Sequence, residues 1–299
     1  MKKLILTLLC CISFSALAAK EIKLIIPYSP GGSADRVGRV IEKELNNKDY
    51  TFVVEFKLGA GGQIATDYVA TTKTGTVLLL QTNGIITNPI LSRNFTYDIH
   101  KDFIPVGFVG VDPMIMVVSS SSNITSFKNF KKVSETTDLP YGSSGNGTVN
   151  HLMAEIISNK NKHMIHVPYN GGSAALVDLL GGRLSWLVES DSLLGPYIAD
   201  NKVRPLAVYS TNRLPNYPNL PTVAELGITK RNFLRWYVLV ANTSADSRVI
   251  AYVKEKLKEP KLRAELTNLG LEPVQINDLT KLFNDEADRT HSILTDFLN

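Results

Sequence analysis

Ile22-Lys23-Leu24-Ile25-Ile26-Pro27-Tyr28-Ser29-Pro30-Gly31-Gly32-Ser33-Ala34-Asp35 passes from a β-branched run, through a proline and glycine turn, into a segment where Val37, Val40, Ile41 and Leu45 recur at helical spacing. A strand feeding a glycine turn and then a helix is the opening unit of an α/β protein. The same alternation continues outward. Thr51 to Phe56 reads as a strand, Gly62 to Thr71 as a helix and Val77 to Gln81 as a strand. Leu152, Met153, Ile156 and Ile157 mark a helix, Met164 to Val167 a strand, Ala175 to Leu180 a helix, and Leu184 to Val188 and Leu206 to Ser210 two more strands. Val249, Ile250, Val253 and Leu257 form an amphipathic helix, with two further helical segments behind it. This pattern predicts an α/β fold with largely parallel sheets. Two long apolar runs, Phe108 to Val118 and Trp236 to Ala241, bracket the middle of the chain. They predict a two-domain molecule whose chain crosses between domains twice.

The 299 residues are 44% hydrophobic and 20% charged, a globular mixture. Residues 1–18 read as a secretory leader: Lys2 and Lys3 are a basic start, Leu4 to Phe14 an apolar stretch too short for a membrane span, and Ala16-Leu17-Ala18 a small-x-small cleavage site. The 32 Lys and Arg outnumber the 28 Asp and Glu by four, and without Lys2 and Lys3 by two. So small an excess gives no footprint for nucleic acid or for an anionic membrane. Both cysteines, Cys10 and Cys11, lie in the leader, so the exported chain is expected to carry no disulfide and no thiol chemistry.

Four glycine turns carry the functional signal: Pro30 to Asp35, Gly59-Ala60-Gly61-Gly62, Gly142-Ser143-Ser144-Gly145-Asn146-Gly147-Thr148, and Asn170-Gly171-Gly172-Ser173. Each can leave backbone N–H groups at a helix start, where partial positive charge holds a carboxylate or phosphate without a lysine. Read singly, each is also an ordinary strand-to-helix turn, with Ser33 and Thr148 as N-caps and Asp35 complementing the dipole. Four on one α/β scaffold favour a small-anion site. Enzymatic motifs fail on these turns. None ends in the Gly-Lys pair of a phosphate loop, none places a third small residue for a dinucleotide fingerprint, and Gly142 to Asn146 misses the Gly-x-Ser-x-Gly elbow by one position. Of the five histidines only His163 and His166 are close in sequence, and the second sits on a strand, so no metal site or cofactor is expected.

These turns resemble the signature segments of the Bug family, the substrate-binding proteins of tripartite tricarboxylate transporters. The resemblance runs through Pro27 to Asp35, Tyr141 to Gly147 with His151-Leu152, His166 to Leu176 and Pro221 to Gly227, in the family's order. It implies a type 2 periplasmic-binding fold: two α/β domains around a ligand cleft, joined by two crossing strands. The expected division is 19–117 with 233–299 as domain 1 and 118–232 as domain 2. It further implies a monomeric periplasmic receptor, not an enzyme, that takes a di- or tricarboxylate or related acid to membrane permease subunits. Mapped onto this chain, the ligand contacts are Tyr28, Gly31, Gly32, Ser33, Ala34, Asp35, Ala60, Gly61, Gly62, Thr82 and Asn83 in the first domain. Those in the second are Ser143, Ser144, Gly145, Thr148, Tyr169, Gly171, Gly172 and Glu189.

Three departures bear on the ligand. Leu58 and Gln63 flank the second turn where the family has Pro and Asn, and Arg36 replaces a small or neutral residue, facing either the cleft or solvent. Glu189 stands where the family often has Asp; at the cleft rim it would either recognise a ligand amine or cap the helix that begins at Ser190 to Ser192. Two other readings stay open: a sensory or partner-binding protein, and an enzyme on a carboxylate with His151 or Asp35 as general base.

Overall fold

Period-two burial sets the two sheets of this computed structural model, which describes residues 19–91, 96–230, 234–272, 274 and 276–298. The leader read in residues 1–18 lies outside the described residues.

The first sheet takes β1 (Lys20–Ile26), β2 (Tyr50–Phe56), β3 (Val77–Thr82), β4 (Phe103–Asp112) and, from far along the chain, β10 (Arg235–Asn242). The second takes β5 (Met114–Ser119), β6 (Leu139–Ser143), β7 (Met164–Pro168), β8 (Trp186–Ser190) and β9 (Val203–Val208). Along β10, Tyr237, Leu239 and Ala241 face one hydrophobic cluster while Trp236, Val238 and Val240 face another. In β5, Met114, Met116 and Val118 alternate in the same way with Ile115 and Val117. A strand covered on both faces reads as an unbroken apolar run, which is why these two stood out in the sequence. Each fully buried aliphatic side chain contributes roughly 1.5–3 kcal/mol, so the burial of both faces anchors each crossing strand firmly in its sheet.

Helices cover both faces. Val37, Ile41 and Leu45 of α1 (Ser33–Leu45) and Val249 and Val253 of α8 (Ser247–Lys256) pack on Ile22, Leu24 and Ile26. On the other face lie α2 (Gln63–Thr71), α3 (Gly84–Leu91) and α10 (Leu279–Leu298). The second sheet carries α4 (Phe127–Val133) and α5 (Val149–Ser158) on one face and α6 (Gly172–Leu180) and α7 (Asp191–Ala199) on the other. The remaining helix, α9 (Pro260–Asn268), packs on α1.

The strand orders are β2-β1-β3-β10-β4 and β7-β6-β8-β5-β9. Each sheet has three parallel strands, then a crossing strand that runs antiparallel to both its neighbours. The sheets are therefore mixed rather than largely parallel, because each borrows its fourth strand from the segment that crosses between lobes. The apolar run Phe108 to Val118 is not one strand. Pro113 splits it into β4 and β5, and the chain changes sheet there, so β5 belongs wholly to the second sheet.

Candidate functional site

The four glycine turns meet. Three of them open helices with a glycine N-cap and no side-chain cap: Gly32 for α1, Gly62 for α2 and Gly171 for α6. The fourth opens α5, where Thr148 Oγ1 accepts from the His151 amide. The turn before α1 docks on the turn before α6 in the other lobe: the Ser29 amide donates to the Asn170 carbonyl at 2.9 Å, the Ser29 and Ser173 hydroxyls lie 2.8 Å apart, and Ser173 donates to the Pro30 carbonyl at 3.0 Å. The turn before α2 meets the turn before α5, where a Cβ on Gly61 would overlap the Asn146 carbonyl oxygen. Thr87 of α3 closes the seam by donating to the Gly147 carbonyl at 2.9 Å. Helix starts, each carrying partial positive charge, thus line both sides of one seam.

Beneath the turns lies a buried ion pair joining the lobes. Arg235, at the start of β10, donates through Nη1 to Glu189 at 2.7 Å, with the side chains 3% and 2% exposed. Its Nη2 donates to the Ser33 hydroxyl at 2.9 Å and to the Tyr237 hydroxyl at 2.8 Å. Glu189 also accepts from the Ser190 amide and hydroxyl, from the Ser144 hydroxyl at 3.1 Å and from the Asn150 amide at 2.7 Å. Gly172, the first residue of α6, backs onto this carboxylate so closely that a methyl there would overlap it. Beside the pair, Asp112 at the end of β4 accepts from the Ser192 hydroxyl at 2.6 Å across the Pro113 junction. Burial pushes the Asp112 carboxyl up to about 6, against the opposing pull of Arg235 and Ser192. Burial alone would lower Arg235, yet Tyr237, Glu189 and Asp112 together raise it above the ordinary arginine range.

The expected site residues divide by what they touch. Gly31 to Asp35, Ala60 to Gly62, Ser143 to Thr148 and Tyr169 to Gly172 lie on the facing turns. Tyr28, Thr82 and Asn83 are interior. The Tyr28 hydroxyl bonds Gln81 and Thr82, and Asn83 donates to the Leu234 carbonyl and Glu286 while accepting from the Trp236 amide. The Tyr169 hydroxyl turns to Asp178 of α6, the helix that follows it, at 2.6 Å, and burial with that carboxylate pushes it up to about 12. Glu189 is not at the cleft rim. It does accept from the Ser190 amide at the start of α7, but its oxygens are occupied by protein donors and face no open space for a ligand amine. Arg36 donates to the Ser192 carbonyl of the other lobe at 2.7 Å rather than standing in solvent.

The two candidate bases are also engaged. Nδ1 of His151 accepts from the Gly147 amide at 3.3 Å, and its ring stacks on His166 with centroids 4.0 Å apart. Asp35 accepts from the Gly31 amide and from Arg39. Arg235, Asn150, Ser29, Ser173 and Thr87 were not among the expected ligand contacts. Arg235 left one sign in the sequence, a lone cation directly before the apolar run Trp236 to Ala241.

Comparison with known proteins follows the same lines. The profile described as tripartite tricarboxylate transporter family receptor matches residues 37–297. The protein BugT of Bordetella pertussis is 28% identical over 83% of this chain and 78% of its own. The structure of the periplasmic binding protein BugD superposes with a TM-score of 0.85 at 25% identity, covering 93% of this chain and 97% of that one. R. palustris Rpa4515, solved with adipate, gives 0.85 at 26% over 93% and 97%. With its two mixed sheets, its facing glycine turns and a match across most of its length, this chain belongs to the tripartite tricarboxylate transporter receptor family of solute-binding proteins.

Proposed function

We propose that this chain is an exported receptor that closes its two lobes on a small organic acid and presents the closed form to membrane permease subunits. The observation that carries this reading is the seam of helix starts, with glycine caps from both lobes facing one another. A carboxylate placed there is attracted by both lobes at once, so its binding energy favours closure, which is how a ligand shifts a hinge equilibrium. The structure of R. palustris Rpa4515 with adipate supports a small organic acid as the ligand class. In this reading the receptor works as a monomer in the periplasm, and the engaged His151 and Asp35 serve the turns, not a reaction.

A thermal-shift screen of residues 19–299 against mono-, di- and tricarboxylates, aromatic acids and amino acids tests it. An acid at about 100 times its Kd is expected to raise Tm by roughly 5–10 °C. A screen in which no acid raises Tm, on protein shown by native mass spectrometry to be ligand-free, would count against the reading.

A further inference from the structure

The surroundings of Glu189 are those of a bound acid, and the acid is the protein's own. Its carboxylate sits against the first residue of α6, takes a guanidinium hydrogen bond from Arg235, and is held by the Ser144 hydroxyl and the Asn150 amide. Guanidinium, hydroxyl, amide and helix start are the groups that recognise a free carboxylate. They also come from both lobes, Arg235 from the first sheet and the rest from the second, as the contacts of a bridging ligand would. With the Ser190 amide and hydroxyl added, five protein donors fill the roughly four acceptor positions of a carboxylate. A second carboxylate on a ligand would meet spent donors and the charge of Glu189. The helix starts of α1 and α2, with glycine caps and no side-chain cap, remain on the first lobe for one carboxylate, whereas the equally uncapped start of α6 already faces the negative charge of Glu189 beside Gly172.

We propose that Glu189 occupies one carboxylate subsite of the cleft in cis, so that this receptor takes organic acids with a single carboxylate. The inference rests on the receptor reading above and narrows its ligand class. Gly172 belongs to the same device, since any side chain there would expel the Glu189 carboxylate.

The experiment pairs the wild-type chain with Glu189→Ala and Glu189→Gln, using thermal shift and calorimetry. For the wild type, monocarboxylates such as propionate, lactate and benzoate are expected to raise Tm, and succinate and adipate to leave it unmoved. Glu189→Ala strands a buried arginine and is expected to lose about 10 °C. Formate or acetate should restore most of that loss, whereas chloride should not, and succinate or adipate should now bind at least tenfold better than to wild type. Glu189→Gln keeps the subsite filled, so formate should not stabilise it. The proposal is overturned if diacids bind the wild type as tightly as matched monoacids. It is overturned equally if Glu189→Ala folds and formate does nothing. Should Glu189→Ala fail to fold, the wild-type comparison decides alone. If no acid moves the wild type while formate rescues Glu189→Ala, the carboxylate subsite stands and the receptor reading is what fails.

Discussion

Gly61 has φ 62°, in the left-handed region, and presses on the Asn146 carbonyl of the opposite lobe. Gly61→Ala therefore adds backbone strain of about 1 kcal/mol and, more importantly, a methyl that holds the turns apart. Its expected effect is on closure: ligand affinity falls at least tenfold by calorimetry, while the unliganded Tm moves only a few degrees. Asp112 makes a prediction in pH. Because burial raises its folded-state value to about 6, the folded chain keeps a proton that the unfolded chain releases between about pH 4 and 6. The contribution of Asp112 to stability therefore falls as pH rises through that window and is constant above it. Asp112→Asn keeps an acceptor for Ser192 and removes the charge. Relative to wild type it should gain up to roughly 3 kcal/mol between pH 4 and 7 in urea denaturation. Parallel pH profiles for the two proteins would show that Asp112 does not titrate there.

At the level of elements, Thr148 is the clearest local determinant, capping α5 through the His151 amide and donating to the Gly145 carbonyl at 2.7 Å. Thr148→Ala should cost about 1–2 kcal/mol in chemical denaturation, and Thr148→Ser much less. Caps, glycine turns and apolar periodicity are local, and so β1, β10, α1, α5 and α8 could all be read from their own residues. By contrast α3 carries Gly84, Asn88 and Pro89, which break its periodicity, and it is held through neighbours such as the Asn83 network. Strand direction was not legible either. The residues of β10 would suit a parallel strand equally well, and its antiparallel place is fixed by the chain's return to the first sheet. The turns of the candidate site were visible for the same local reason. The partner of Glu189 was not, because Arg235 is distant in sequence and the pair exists only where the two sheets meet.

On the scale of the whole molecule, the lobes are closed onto one another by a few backbone and hydroxyl hydrogen bonds at the seam, with Arg235 and Glu189 clasped below it. Contacts of this kind contribute about 1 kcal/mol each, enough to bias closure without fixing it. Thr87→Val combined with Ser173→Ala should thus weaken acid binding by roughly thirtyfold if their effects add. Small-angle scattering of the unliganded double variant should show a larger radius of gyration than wild type. An unchanged radius together with unchanged affinity would mean that these hydroxyls do not hold the seam. The borrowed strands have a further consequence, in the order of assembly. A chain emerging from its N-terminus holds every strand of the second sheet once residue 208 is out. The first sheet is begun earlier but must wait for residue 242, because β10 lies between β3 and β4. Until then β3 offers an open edge and β4 has no neighbouring strand in the sheet, a state in which a nascent chain is prone to mispair. The lobe that starts first is finished last, and a chain cut short between residues 208 and 235 would keep all the strands of its second sheet while β4 of its first sheet lost the strand beside it.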